Sequence, residues 1–318
     1  MQDNPLVTIL TPVYNSPDLF QTLESVRMQS YRPIQYILVD DASECFEETR
    51  IREFFSQVGD GFTLVVLRNE QNAGTVRTMN RGLSLAQGKY VFNLAGDDAF
   101  FDENVIRDWV AAFEQIDSDV LAARRAICDE KLDKIRDILP SKKTMRVMEG
   151  LSPSKLYEYL SWQNYIYGCC TAWRLESLRR LGLYDEHYRL VEDYPAYLQL
   201  IRDGGTISFL DRVVIRYRGG GVCETAGEVF EQDRVQILQR EIVPYVRYPY
   251  MMKFHFKHWQ RGVHLDRWYN RQLEINSNSK SRFFLLHCVH CIDFFYHPRK
   301  TIRTIKRLLR KTKDQGAL

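Results

Sequence analysis

The stretch KYVFNLAGDDAFFD, residues 89–102, carries the strongest structural signal in the chain. From Tyr90 to Leu94 it is almost wholly apolar and aromatic, which predicts a strand that is buried on both faces. The strand leads directly to Asp97 and Asp98. Two adjacent carboxylates at the end of a buried strand are costly unless a positive charge neutralises them, and Mg²⁺ or Mn²⁺ prefers such oxygen ligands. An acidic cap on a following helix is the alternative.

The residues before this stretch alternate between short apolar runs and helical patterns. Strands are predicted at residues 6–10, 34–39 and 62–67, with helices between them. The first helix is predicted from Pro17 to about Gln29, with Ser16 as its cap. Such alternation is typical of an open, mostly parallel sheet flanked by helices.

Polar clusters follow three of these strands. Their residues are Thr11, Pro12 and Tyr14 after the first strand, Asp40 and Asp41 after the second, and Asp97 and Asp98 after the fourth. Ligands of open parallel sheets bind at the carboxyl ends of the strands, so these clusters predict one binding site. No Gly-x-Gly-x-x-Gly or Gly-Lys-Ser/Thr motif follows a strand, so we expect neither a dinucleotide dehydrogenase nor a P-loop enzyme.

The whole chain has the composition of a globular protein. Its 318 residues are 45% hydrophobic, enough for one large domain or a domain with an appendage. The net charge of +3 is mild, so no nucleic acid partner is expected. Seven cysteines without a framework spacing suit a reducing compartment. We find no signal peptide and no run of about eighteen apolar residues, which together predict a cytoplasmic protein.

Four segments, in this order, resemble the family-two glycosyltransferases, an inverting family with the GT-A nucleotide-diphospho-sugar transferase fold. They are VTILTPVYNS at 7–16, ILVDDAS at 37–43, NEQNAGTVRTMNRGLSLAQGKYVFNLAGDD at 69–98 and LRRLGLYDEHYRLVEDYPAYLQLIRDGG at 178–205. The resemblance covers about residues 5–220. It implies transfer of one sugar from a nucleotide-diphospho-sugar to a hydroxyl of a glycan or lipid-linked acceptor, as in bacterial capsule, exopolysaccharide or lipopolysaccharide synthesis. The Gln-x-x-Arg-Trp signature of processive synthases is absent, which favours single transfer.

The resemblance also implies roles for individual residues. The implied nucleotide-sugar contacts are Thr11, Pro12, Tyr14, Asp40, Asp41, Arg77, Asn80 and Asp97. Asp41 would read the edge of uracil or thymine, which favours a UDP- or dTDP-sugar. Asp97 and Asp98 would hold a divalent metal, Mn²⁺ or Mg²⁺, although Ala95 stands where the family's Asp-x-Asp motif often has its first Asp. For Arg77, a solvated helix face is the alternative.

On the acceptor side, the family places its catalytic base at Asp193. An acidic residue there would also suit the start of a helix. Glu192, Trp162 and Tyr165 are further acceptor candidates, but aromatic residues at helical spacing more often belong to a core. Residues 120–127 and 144–148 are predicted as strands.

The expected architecture is a GT-A domain at residues 1–225 with a helical extension at 226–318. The nucleotide-binding half spans about 5–100 and the acceptor half about 101–225. In the extension, TIRTIKRLLRK at 301–311 predicts a basic amphipathic helix, typical of a protein bound to the inner face of the cytoplasmic membrane. A helix packed on the domain is the alternative.

Two other functions remain open. A sugar-nucleotide pyrophosphorylase would share the half-sheet and the metal chemistry, but it should carry a Gly-rich loop with Arg and Lys where this chain has TPVYNSPDLF. A non-catalytic membrane or nucleic-acid adaptor would use the basic tail, bind RNA with a steep salt dependence and ignore nucleotide sugars.

Overall fold

The computed structural model describes residues 4–219 and 227–246. The strands are β1 Val7–Val13, β2 Ile34–Asp40, β3 Phe62–Arg68, β4 Tyr90–Asn93, β5 Ala99–Phe100, β6 Val120–Cys128, β7 Ile135–Leu139, β8 Thr171–Arg174 and β9 Ile207–Arg218. The helices are α1 Leu19–Arg27, α2 Glu48–Phe55, α3 Thr75–Leu83, α4 Val105–Gln115, α5 Lys142–Glu149, α6 Pro153–Trp162, α7 Leu175–Arg180, α8 Asp193–Arg202 and α9 Gly227–Ile237. A π-helical turn follows at Leu238–Ile242.

These strands form one sheet in the order β3-β2-β1-β4-β8-β6-β9-β5, with β7 paired to β6. The first four are parallel, as the alternating pattern predicts, and β8 is antiparallel to both β4 and β6. Val13 of β1 lies beside Asp40 of β2, and Leu10 of β1 beside Asn93 of β4. The carboxyl ends of β1, β2 and β4 therefore meet at one edge of the sheet.

The core explains why the apolar runs form central strands. β2 and β4 are buried at every position, because helices cover both faces of the sheet. Helix α1 buries Leu19, Leu23 and Val26 along one face, as the sequence spacing predicts. On α4, Trp109 is fully buried against Phe92, with ring centroids 5.1 Å apart.

Two local predictions are wrong. Helix α1 begins at Leu19 rather than Pro17, and the Ser16 hydroxyl donates to Gly96 O at 2.7 Å instead of capping the helix. Residues 144–148 lie in helix α5 and not in a strand, because Ser141 caps that helix by accepting from the Thr144 amide. The strand predicted at 120–127 is confirmed as β6.

Residues 227–246 pack against the sheet domain, although they follow the predicted boundary at 225. Asp233 of α9 accepts hydrogen bonds from the amides of Arg189, Leu190 and Val191, and Glu241 pairs with Arg202 at 2.6 Å. In the part of the chain that the structure describes, no helix has the length and apolar character needed to cross a bilayer. The basic tail at 301–311 lies outside the described residues.

Candidate active site

The loops after β1, β2 and β4 are tied to one another at the carboxyl edge of the sheet. The Asn15 amide donates to Ser43 Oγ at 2.8 Å, the Asp41 amide to Val13 O at 2.7 Å, and Ser16 Oγ to Gly96 O at 2.7 Å. The structure therefore brings the three predicted polar clusters together. Tyr14 is 54% exposed on this edge, so its ring is open to a planar ligand.

The aspartates after β2 hold the surrounding backbone. Asp40 is fully buried, and its carboxylate accepts from Arg68 Nε at 3.1 Å and from the Ser43 amide. Thr11 is likewise fully buried. Pro12, by contrast, is half-buried. Asp40 thus supports the turn that carries Asp41.

Asp41 organises the loop before α3. Its Oδ1 accepts from Asn69 Nδ2 at 2.7 Å and from the Ala73 amide at 2.8 Å, and its Oδ2 from the Gly74 amide at 2.9 Å. Gly74 has a φ of +88°, and a Cβ there would lie 2.6 Å from Arg189 Cγ. An oxygen accepts up to two hydrogen bonds. Oδ2 accepts one hydrogen bond, from the Gly74 amide, so it can accept a second from the N–H of a nucleotide base.

Arg77 and Asn80 face the segment that leads to α8. Asn80 Nδ2 donates to Tyr184 O at 2.8 Å, and its Oδ1 accepts from the Tyr184 amide at 3.0 Å. Arg77 is exposed and pairs with Glu186 at 3.4 Å. Asn80 therefore joins α3 to the segment before α8, and the nucleotide contacts of both residues stay predictions.

Asp98 is a buried carboxylate with an unsatisfied oxygen. It is 1% exposed; Oδ1 accepts from the Arg218 amide at 2.9 Å, while Oδ2 has no hydrogen-bond partner within the described ranges. Burial, together with the nearby Cys169 and Asp97, raises the pKa of Asp98 well above its ordinary value. Burial also raises the pKa of the half-buried Asp97, which Arg218 opposes.

This donor set fits a divalent cation. A buried oxygen without a partner is expensive, and a hard cation would satisfy it. Among residues 4–219 and 227–246, no three His, Cys, Asp or Glu side chains lie together as a metal-ligand set. A metal held by Asp97 and Asp98 would therefore need further ligands from the substrate. One or two carboxylates completed by substrate phosphates are the usual set for Mg²⁺.

Arg218 is a site residue for which the sequence pattern alone gives no role. It ends β9, and its guanidinium donates to Asp97 O at 2.9 Å and pairs with Asp18 at 3.1 Å. Its amide binds Asp98, so Arg218 fixes the turn of both aspartates. In the sequence, only its position at the end of a predicted strand, before three glycines, could have indicated a role at the site.

Asp193 lies at the start of α8 with its carboxylate held by two amides. Oδ2 accepts from the Gly168 amide at 2.9 Å and Oδ1 from the Tyr194 amide at 2.6 Å. Burial outweighs these bonds and raises the pKa of Asp193 to about 6. Burial and the charge of Asp193 raise the pKa of Glu192 to about 8. The two adjacent carboxyls therefore titrate as a pair above the ordinary range, and the two amides orient the Asp193 carboxylate as a proton acceptor.

The predicted acceptor aromatics differ in their environments. Trp162 is 47% exposed at the end of α6, whereas Tyr165 stacks on Tyr159 with ring centroids 5.0 Å apart. Their contact with a sugar stays a prediction.

Comparisons with known proteins agree with this geometry. The model of the family described as "Glycosyl transferase family 2" matches residues 8–182. An uncharacterized glycosyltransferase of Rickettsia prowazekii, RP339, is 26% identical over 218 residues, which cover 68% of this chain and 64% of that protein. The Escherichia coli K12 glycosyl transferase WcaA, assigned by its name to colanic acid biosynthesis, is 25% identical over 211 residues, which cover 64% and 69%.

Two solved structures share the fold. Staphylococcus aureus TarS 1–349 in complex with UDP-GlcNAc has a TM-score of 0.57 at 18% identity, over 76% of this chain and 67% of that one. The mannosyltransferase PcManGT of Pyrobaculum calidifontis, in complex with GDP-Man and Mn²⁺, has a TM-score of 0.58 at 16% identity, over 96% and 85%. The expected fold class is confirmed. The family match favours a glycosyltransferase over a pyrophosphorylase or a non-catalytic adaptor.

Proposed function

This chain belongs to glycosyl transferase family 2, and on that premise we propose that it is an inverting enzyme that transfers one sugar from a nucleotide-diphospho-sugar to an acceptor hydroxyl. The observation that carries the proposal is the pairing of two carboxylate sites on one domain. Asp98 offers a buried oxygen without a partner, and Asp193 offers an oriented anion whose pKa is raised to about 6. The first site suits a metal–diphosphate group and the second a general base.

In the proposed reaction, Asp193 takes the proton of the acceptor hydroxyl while that oxygen attacks the anomeric carbon. The bond from this carbon to the diphosphate breaks on the opposite face, the nucleoside diphosphate leaves with the bonding electrons, and the anomeric configuration inverts. The Gly168 and Tyr194 amides keep the carboxylate oriented. A divalent metal, Mn²⁺ or Mg²⁺, would be held by Asp97 and Asp98 and, when bound, would neutralise the diphosphate charge.

A UDP- or dTDP-sugar is the proposed donor. The fold itself accepts more than one base, since one structural neighbour is a complex with UDP-GlcNAc and another with GDP-Man and Mn²⁺. The preference therefore depends on Asp41, whose carboxylate can accept from the N–H of a pyrimidine. We expect UDP and dTDP to raise the melting temperature more than GDP, and to raise it more with Mn²⁺ than without it. A thermal-shift panel measures this, and equal shifts for all three nucleotides would remove Asp41 from base recognition.

The rate should fall at acidic pH. The pKa of Asp193 is raised to about 6, so the carboxylate is protonated below that pH and cannot accept the hydroxyl proton. We expect the turnover number to rise between pH 5 and 7 with a midpoint near 6. Nucleotide release at saturating donor and acceptor measures it. A flat profile down to pH 5 would contradict Asp193 as the base.

The proposed acceptor is a glycan or lipid-linked sugar used in cell-surface polysaccharide synthesis, such as capsule or lipopolysaccharide. Support comes from the names of two relatives, the colanic acid biosynthesis glycosyl transferase WcaA and the processive diacylglycerol beta-glycosyltransferase of Mycoplasma genitalium. A lipid-linked acceptor would suit peripheral attachment to the inner face of the cytoplasmic membrane through the basic segment 301–311.

Deletion from Pro298 onward tests this attachment. Each lost basic residue removes part of the attraction to anionic lipid. We expect the shortened protein to keep its nucleotide-induced thermal shift but no longer to sediment with phosphatidylglycerol vesicles. Sedimentation equal to that of the full chain would exclude the segment as the membrane contact.

A further inference from the structure

Arg125 on β6 is a half-buried cation without a carboxylate partner among the described residues. Among the described residues it forms no ion pair with a carboxylate, and its Nε is buried with no hydrogen-bond partner. Its guanidinium lies between two tyrosine rings, 4.0 Å from the Tyr167 centroid and 3.9 Å from that of Tyr217. Its Nη1 donates to Cys169 Sγ at 3.6 Å, and Cys170 and Arg125 together lower the pKa of that thiol. Arginine stays charged at any physiological pH, so this positive charge is permanent.

Three neighbouring arginines pair with carboxylates, while Arg216 of β9 donates to the backbone oxygens of Phe101 and Leu132 instead. Arg124, the preceding residue, binds Asp211 at 3.2 Å; Arg212 binds Asp102 at 2.7 Å; and Arg218 binds Asp18 at 3.1 Å. Burying an unpaired charge is unfavourable. The faces of two tyrosines offset part of this penalty, but they cover only the faces of the guanidinium plane. The N–H groups on its edge remain suited to an anion.

The position of Arg125 connects it to the proposed base. Cys169 follows Gly168, whose amide donates to Asp193 at 2.9 Å. Tyr217 precedes Arg218, whose amide donates to Asp98 at 2.9 Å. The charge of Arg125 acts on both aspartates and opposes the increase in pKa that burial causes. Its direct hydrogen bond, however, is to the loop of residues 167–170, on the side of Asp193.

We propose that Arg125 binds an anionic group of the acceptor, a carboxylate or a phosphate. The proposal rests on the proposed function, because it assigns the acceptor to the side of Asp193. A planar guanidinium matches either group through two parallel hydrogen bonds. An acidic sugar or a sugar phosphate would thereby be oriented with a hydroxyl toward the base, and a neutral sugar would leave the guanidinium without a carboxylate or phosphate partner.

The test is calorimetric titration of the full chain, saturated with UDP and Mn²⁺, with three probes. The probes are methyl β-D-glucuronide, glycerol 3-phosphate and the neutral methyl β-D-glucoside. At least one acidic probe should bind about tenfold more tightly than the neutral one, as expected for a charge-assisted contact. In Arg125→Met this preference should disappear while UDP affinity stays within about twofold. The acidic probe that binds identifies the carboxylate or the phosphate as the ligand group.

A matched control is Arg50→Met. Arg50 also lies over an aromatic ring, Phe20 at 4.1 Å, but it is exposed and pairs with Glu47 at 2.9 Å. It should keep the acidic preference. If Arg125→Met does not fold, Arg125→Lys carries the test, because it keeps the charge and loses the planar fork; the preference should then fall several-fold.

Three results would overturn the proposal. Acidic probes that bind no better than the neutral one, or not at all, exclude an anionic acceptor site. A preference that survives in the Arg125 variant shows that another residue carries it. A tenfold loss of UDP affinity in that variant assigns Arg125 to the donor diphosphate instead. Failure of the wild type to bind either UDP or GDP would contradict the proposed function itself. That outcome differs from the three above, in which UDP binds and only the role of Arg125 fails.

Discussion

Asp193→Asn is expected to lower the turnover number by about a hundred- to ten-thousandfold, the usual contribution of a general base. The amide has nearly the size of the carboxylate but cannot take the acceptor proton. The Gly168 and Tyr194 amides both donate to the native carboxylate. Asparagine can accept through one atom only, so a small loss of stability, about 1 kcal/mol, should accompany the change. Donor affinity should stay near the wild-type value, since Asp193 is assigned to the acceptor.

The measurements are nucleotide release for turnover and calorimetry with Mn²⁺ for donor affinity. Glu192→Gln is the matched control, because it makes the same chemical change at the adjacent position. The Gly168 and Tyr194 amides orient the carboxylate of Asp193 and not that of Glu192, so the Glu192 variant should lose far less activity. Wild-type turnover in Asp193→Asn, or loss of donor binding with the fold intact, would show that the base lies elsewhere.

Asp98→Asn is expected to weaken UDP or GDP binding in Mn²⁺ on the order of a hundredfold, because it removes a carboxylate worth several kcal/mol to the metal–diphosphate group. Donor affinity measured in EDTA should change little. Asp60→Asn, at an exposed position, controls for the loss of one negative charge. Equal metal-dependent binding in Asp98→Asn and wild type would remove Asp98 from the metal site.

The same variant gives a second readout without any metal. Burial raises the pKa of Asp98 above its value in the unfolded chain, so the fold favours the protonated carboxyl. That contribution to stability is lost as pH rises through the folded pKa. In EDTA, the wild type should therefore lose thermal stability as the pH rises, and Asp98→Asn should lose less. A steeper loss in the variant would contradict the buried, unpaired state of this carboxylate.

The central sheet could be predicted because its strands are buried on both faces and therefore appear as uninterrupted apolar runs. Tyr14, Asp41 and Asp98 could be placed together for the same reason, since the carboxyl ends of neighbouring parallel strands share an edge. The hydrogen bonds that these residues form could not be predicted from the sequence. Asp41 holds the loop of residues 69–74, a contact that no local pattern encodes.

The strand prediction for residues 144–148 is wrong because apolar Met145 and Val147 are separated by the polar Arg146, as in a short strand. What decides the helix is the Ser141 cap and the burial of Met145 and Met148, three residues apart. Arg125 was not predicted at all. Its environment is made by Tyr167 and Tyr217, which lie far along the chain, and a single arginine in an apolar strand has no distinguishing neighbours in sequence.

The contact of Asp233 with the amides of residues 189–191 has a practical consequence for shortened versions of the chain. Those amides immediately precede Glu192 and Asp193, so the anchor of the proposed base is a carboxylate from helix α9. Neither the matched range 8–182 nor the predicted boundary at 225 includes that carboxylate. A fragment trimmed at 182 lacks Asp193 itself, whereas one trimmed at 225 keeps Asp193 and discards its anchor, so inactivity of the longer fragment would say nothing about the chemistry. The minimal enzyme should include helix α9 and Glu241, which pairs with Arg202 at 2.6 Å.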